Sequence, residues 1–377
     1  MTRVRHVLGA MTGTSIDGID LALVRIEGRG LAMRATLVAH HAAGLGSLAD
    51  RLRAAAEQHP MTAGECAALM LDFGSFHADE ARAFLDGARL PRPDLASIHG
   101  QTVFHRPPAS WQLVNAHPVA RALGCDVVFD LRGNDLAHGG QGAPLTPLAD
   151  WVLFRSDAPR AVVNLGGFAN VTLLPRDAPD APYAVHAIRG FDVCACNQLL
   201  DAAARAVLGT PFDAGGAAAA RGTRDPDAES SLIERLTGGG GARSLGTGDE
   251  CLAWLHDARG RLRPDDLLAT AAAAIGTVIG RAIRTHGASD ALLAGGGFRH
   301  QPLAASIARA AACPVRTCGD AGVPPEAREA AGWAVLGALA QDGVPVALPA
   351  VTGRPGASPP VTIDGTWIHV RAEHAGP

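Results

Sequence analysis

The sequence predicts an α/β protein built from two related lobes. Strand-like apolar runs alternate with helical periodicity along the chain, the pattern of the α/β class. A strand, a glycine turn and a second strand occur twice, about 150 residues apart. The length of 377 residues exceeds the roughly 100–200 of one domain, and 47% apolar residues suffice for sizeable cores. The boundary is expected near Pro147–Pro159, giving an N-terminal lobe 1–150, a C-terminal lobe 151–353 and a tail 354–377.

The elements follow in order. Val4–Ala10 reads as a strand, Met11–Gly18 as a turn rich in glycine and hydroxyls, and Ile19–Ile26 as the returning strand. Ala49–Arg89 has helical periodicity interrupted at Pro60. Leu95–Ile98 and Cys125–Phe129 are short buried-type strands. Arg160–Leu165, the Gly166-Gly167 turn and Phe168–Leu174 repeat the opening pattern. His186–Phe191 reads as a strand ending at Asp192, and Asn197–Leu208 as a helix stopped by Gly209. Gly238–Gly241 reads as a flexible loop. Pro264 opens a long helix ending at Gly287, Asp290–Leu293 is a strand running into three glycines, and Glu326–Gln341 is a helix. Val361–Val370 has the composition of a late strand.

The 33 basic residues are all Arg, and the chain has no Lys. A Walker A loop, a protein-kinase site and Schiff-base chemistry each require a lysine amine, so all three are excluded. A net charge of −4 argues against a nucleic-acid partner. The start carries no secretory signal, and Leu267–Ile283 is interrupted by Gly276, Gly280 and Arg281, so no membrane partner is expected. Seven Cys without a paired CxxC arrangement suggest reduced thiols in a cytoplasmic protein, with no Cys zinc site.

Gly13, Thr14 and Ser15, with Asp17 and Gly18, have the composition of a phosphate-binding hairpin or of an ordinary turn. Glycine lets the main chain approach a polyphosphate, turn amides and hydroxyls donate to its oxygens, and a carboxylate can hold Mg²⁺ through water. The second hairpin, Asn164–Thr172, could grip the same phosphates, and Gly295, Gly296 and Gly297 could pass close to a nucleotide; each run also reads as a plain turn. Asp192, between strand and helix, is a candidate catalytic carboxylate or a helix N-cap. His99, Gln101, Thr102 and His105 form a polar cluster after a strand, as do Asp130, Arg132 and Asp135; His99 alone also reads as a satisfied buried histidine. Gly139–Pro144 is too constrained for a solvated linker.

Taken together, six runs resemble the anhydro-N-acetylmuramic acid kinase family. They are Gly9–Asp20 (GAMTGTSIDGID), His99–Pro107 (HGQTVFHRP), Asp130–Pro144, Asn164–Thr172 (NLGGFANVT), Gly295–Gly297 and Leu348–Gly353 (LPAVTG). The match spans about residues 4–353. The resemblance implies the two-lobed fold of actin, hexokinases and chaperone ATPases, with a central nucleotide cleft and domain closure. It implies an enzyme that takes ATP and 1,6-anhydro-N-acetylmuramic acid, adds water across the anhydro bond and yields N-acetylmuramic acid 6-phosphate and ADP. Asp192 takes the place of the general base that activates the water, and Glu329 that of a sugar-contacting carboxylate.

On this reading ATP is bound by Gly13, Thr14, Ser15, Ile16, Asp17, Gly18, Ile19, Asp20, Gly166, Gly167, Asn170, Gly295, Gly296 and Gly297, with Asp17 holding Mg²⁺. The sugar is bound by His99, Gln101, Thr102, Asn197 and Glu329. The resemblance also suggests a homodimer. Three segments depart from the family pattern. Phe191–Asn197 reads FDVCACN where the family has FDTGPGN, Ala242–Gly246 reads ARSLG where it has PKSTG, and Val114-Asn115 stands where it has Gly-Asp. The rival readings are a kinase of the same fold for another sugar, and a nucleotide- or sugar-binding protein without catalysis.

Overall fold

The computed structural model describes residues 3–177, 184–238, 249–355 and 363–371. Both expected hairpins are present. β1 (Val4–Met11) pairs antiparallel with β2 (Gly18–Glu27), and β2 with β3 (Arg34–Gly44). β4 (Leu95–Ile98) lies parallel to β1. A separate hairpin of β5 (Gln101–Arg106) and β6 (Ala109–Leu113) follows, then β7 (Asp126–Phe129), parallel to β4. β8 (Arg160–Leu165), β9 (Phe168–Leu174) and β10 (Arg189–Ala195) repeat the antiparallel meander. β11 (Asp290–Ala294) and β12 (Val315–Thr317) extend in parallel from β8, and β13 (Thr366–Ile368) pairs antiparallel with β7.

The first sheet runs β13-β7-β4-β1-β2-β3 and the second β10-β9-β8-β11-β12. Setting β13 aside, the two have one strand order with the same directions. This is the duplicated α/β architecture expected from the sequence. The parallel strands have near-continuous apolar runs, because both faces of such a sheet are covered.

Contacts divide the chain into one unit of Met1–Phe154 with Ala327–Pro377, and another of Arg155–Glu326. The expected lobe 151–353 is therefore shorter, because its last helix returns to the first unit. That helix, Arg328–Gln341, packs on β1, β2 and β4. A Cβ placed on Gly9 would lie 1.9 Å from the Ala330 carbonyl oxygen, so the helix rests on bare main chain. The opposite face of the sheet, through Leu8, Ala10, Ala96 and Ile98, packs on the helix Ala63–Gly87. That helix starts at a capping box in which Glu65 N–H donates to Thr62 Oγ1 and Thr62 N–H to Glu65 Oε2.

In the second unit the helix Pro264–Thr285 is long and apolar enough to cross a membrane by composition, yet 78% of that stretch is buried in the protein. Its Gly276 and Gly280 seat the helix Gln301–Ala311, whose Ser306 and Ala310 would meet a Cβ at 2.5 Å. Residues 239–241 of the expected loop, the segment 242–246, residues 361–362 and most of the tail lie outside the described residues.

Candidate active site

In the first unit the polar residues gather at the carboxyl ends of β1, β4 and β7, where open α/β sheets place their ligand sites. Thr12 follows β1, His99 follows β4, and Asp130 and Arg132 follow β7. His99 is buried, and its ring lies 4.6 Å from that of Trp333 on the helix Arg328–Gln341. His99 Nε2 lies 3.0 Å from an Arg132 terminal nitrogen. A guanidinium only donates, so Nε2 accepts and the ring proton sits on Nδ1. Burial first, then the Arg132 charge, pushes the His99 pKa well below the ordinary value, so the imidazole is neutral. Arg132 also donates to the Gly142 carbonyl at 2.9 Å. Burial lowers its pKa to about 10 against the pull of Asp130 and Glu329.

Among the described residues, several buried polar atoms of this cluster have no hydrogen-bond partner: Thr12 Oγ1, Gln101 Oε1, Arg132 Nε and Trp333 Nε1. Orphaned buried groups are costly, of order 1–3 kcal/mol each, unless a ligand or water meets them. This set is mostly donors with one amide acceptor, which suits a polyhydroxylated, acceptor-rich ligand. Asp130 has a left-handed backbone (φ 51°), and burial raises its carboxyl pKa against a hydrogen bond from Gly133. Such strain persists where the surroundings impose it and is concentrated at functional sites. Asp135 is buried and structural: it accepts from Gly142 N–H at 2.8 Å and from the Thr352 hydroxyl at 2.9 Å. It thereby fixes the glycine-rich run 139–144.

The first hairpin turn is tight, with Ile16 N–H donating to the Gly13 carbonyl at 3.3 Å and Ile16 left-handed (φ 53°). Thr14, Ser15 and Asp17 are exposed, and the Ser15 hydroxyl donates to Asp17 Oδ1 at 2.8 Å. Ile16 and Ile19 bury their side chains in the core, so their expected part in nucleotide binding reduces to main chain. Gly18 starts β2, and Asp20 stands half-buried opposite Met11.

In the second unit, Asp192 does not end a strand. β10 continues to Ala195, with a bulge between Asp192 and Cys194, and the next helix is capped at Cys196. The N-cap reading of Asp192 is therefore wrong: pairing of Cys194 and Ala195 with Ala169 and Phe168 carries the strand past it. The register places Asp192 opposite Asn170, and Asn170 opposite Asn164. Cross-strand partners share a face, so these three half-buried polar residues form one row across β10, β9 and β8. Bulges redirect side chains beside functional sites.

The hairpin carbonyls are already engaged. Gly166 accepts from Asn197 N–H at 3.0 Å, and Gly167 accepts from Cys196 N–H at 2.8 Å and Gln198 N–H at 3.1 Å. Asn197 donates its side-chain amide to the Leu165 carbonyl at 2.9 Å and so braces turn against helix. His99, Gln101, Thr102 and Glu329 belong to the first unit, Asn197 to the second.

The three glycines after β11 differ. A Cβ on Gly295 or Gly297 would meet Asn164 Oδ1 at 2.5 Å or Asn197 Oδ1 at 2.7 Å, whereas Gly296 is exposed and faces open space. Cys194 and Cys196 are core residues whose thiols burial pushes upward, Cys196 to about 12. Of the departures from the family pattern, Cys194 and Cys196 thus belong to the core of the second unit.

A family model described as anhydro-N-acetylmuramic acid kinase matches residues 5–363. Curated proteins of that name from Bordetella avium and Xanthomonas campestris are each 37% identical, over 93% of this chain and 94% of theirs. One from Salinibacter ruber is 35% identical over 94% of this chain and 95% of its own. Among solved structures, component A of (R)-2-hydroxyglutaryl-CoA dehydratase from Acidaminococcus fermentans aligns with a TM-score of 0.45 at 13% identity, covering 89% of this chain and 96% of that one. A ROK-family glucokinase from Streptomyces griseus aligns at 0.39 and 13%, covering 89% and 99%.

Proposed function

The chain belongs to the anhydro-N-acetylmuramic acid kinase family, and on that premise we propose that it consumes ATP, water and 1,6-anhydro-N-acetylmuramic acid to give N-acetylmuramic acid 6-phosphate and ADP. Asp192 takes a proton from the water as its oxygen bonds to the anomeric carbon. The C1–O6 bond breaks, and O6 takes the γ-phosphoryl group as ADP leaves. The sugar is held by His99, Gln101, Thr102, Arg132 and Glu329, with Asn197 bracing the second glycine turn. The observation that carries this reading is the set of buried, unpartnered donors around His99 and Arg132.

The phosphates are met by main-chain amides and hydroxyls of residues 13–20 and by the Gly166-Gly167 and Gly295–Gly297 turns, with Asn170 beside Asp192. No lysine is available for the task. Mg²⁺ is commonly bound through one or two carboxylates together with substrate phosphates and waters, and exposed Asp17 supplies one such carboxylate. When bound, the ion would neutralise phosphate charge. A cytoplasmic homodimer acting on small molecules completes the proposal.

The test is ADP release with the purified anhydro sugar or glucose as acceptor, with and without Mg²⁺. Turnover is expected with the anhydro sugar and Mg²⁺ only. Equal turnover with glucose would favour a general sugar kinase, and no ADP in a single-turnover mix would leave a binding protein.

A further inference from the structure

Arg328 and Asp150 were not singled out in the sequence, yet they form a bidentate ion pair, both side chains no more than 3% exposed. Arg328 Nε donates to Asp150 Oδ1 at 2.8 Å, and a terminal nitrogen donates to Oδ2. The pair joins the helix Thr146–Phe154, the last element before the chain leaves the first unit, to the helix Arg328–Gln341, the first after it returns. The second helix has no side-chain cap at its start, where the N-cap is Ala327. Its body cannot slide: Ala330 sits on Gly9, and Gly337 sits on Ser97, where a Cβ would lie 2.5 Å from the serine Cβ. Glu329 stands between these two anchors, one residue after Arg328 and one before Ala330, so the ion pair holds the turn that carries it from the side away from Gly9.

We propose that Arg328 and Asp150 are positioning residues that fix the first turn of this helix and thereby aim Glu329 toward Arg132 at the sugar site. The inference rests on the proposed sugar-binding role of Glu329. A buried pair of this kind is weak evidence of a purely stabilising role, since apolar residues of similar volume often replace such pairs without loss of stability. That makes position and stability separable.

The test is a kinetic cycle on the full-length chain, using Arg328→Met with Asp150→Leu, Glu329→Gln, and all three together. The apolar pair is expected to melt like the parent, to raise KM for the anhydro sugar by about tenfold and to leave KM for ATP within about twofold. Glu329→Gln should raise the sugar KM comparably in the parent and add little in the apolar-pair background. Arg328→Lys keeps the charge but loses the fork; it is the second variant should the apolar pair fail to fold, and a several-fold rise in sugar KM is expected.

A folded variant of either kind with parental sugar KM, in which Glu329→Gln still has its full effect, overturns the proposal. A Glu329→Gln enzyme that behaves like the parent instead removes Glu329 from the sugar site, and the inference falls with that reading.

Discussion

The two units repeat one strand order and put it to different uses. In the first, the carboxyl edge of the sheet carries side chains: Thr12, Gln101 and Arg132 present buried polar atoms that the protein leaves unpaired. In the second, the corresponding edge carries main chain, with glycine turns after β8 and β11 and one polar row of Asp192, Asn170 and Asn164. Among the described residues there, the buried side-chain atom without a hydrogen bond is His300 Nε2, which lies 3.8 Å from Asp213 Oδ2, while its Nδ1 caps a helix by accepting from Leu303 N–H. On the proposed function, the duplicated scaffold would separate recognition of the sugar by side chains from approach to the phosphates by backbone.

Asp192→Asn should break the comparison most. Turnover should fall by about 10²–10⁴-fold with nucleotide binding and melting temperature retained; near-normal turnover would return the catalytic carboxylate to the first unit. Acid should divide the units next. Burial pushes His77 down to about 4 and holds His99 well below its ordinary value, both in the first unit, whereas in the second burial lowers His300 against the pull of Asp213. The unfolded chain binds these protons more readily than the native one, so stability is full above about pH 6.5 and declines toward pH 4. For His77 the loss is about 3 kcal/mol. Hydrogen exchange at pH 5 should show β1, β4 and β7 opening before β8 and β11; the reverse order would contradict the assignment.

Arg132→Lys sharpens the first unit's role. It should raise the sugar KM by about tenfold, since the fork that spans His99 and Gly142 is lost. The smallest effect contrasts neighbouring glycines. Gly295→Ala should lower stability by about 1–3 kcal/mol, because residue 295 is left-handed (φ 75°) and packed on Asn164. Gly296→Ala should leave the melting temperature unchanged and raise KM for ATP a few-fold. Identical thermal behaviour of the two variants would mean that the turn is plain punctuation.

Much of this was legible in the residues. The strands at Val4, Ile19, Leu95, Arg160 and Phe168 are mainly apolar runs bounded by glycine or polar turns, and the structure forms them. β3 escaped because no position of Arg34–Gly44 is fully buried, and beyond Thr36–Val38 it is built from Ala and His, which carry little strand signal. The β5–β6 hairpin is short, and its tip from Phe104 to Trp111 is mostly exposed. Asp192 was misplaced because a bulge is invisible in sequence, and Val193–Cys196 offered no stop signal. The second crossing to the first unit was hidden for a different reason: the helix Arg328–Gln341 is buried nearly all round, so its pattern names no partner. Arg328 and Asp150 escaped because charged residues ordinarily face solvent.

Gly9 has no side chain to hold the helix Arg328–Gln341 off the sheet. The strut that ends in Glu329 is seated on that residue's bare α-carbon. Adding a single methyl group there would push Ala330 off the sheet and carry its neighbour Glu329 with it. A substitution more than three hundred positions away in the chain would then be read as a change in sugar selectivity, so residue 9 is a natural place to retune the acceptor without touching any group that meets it.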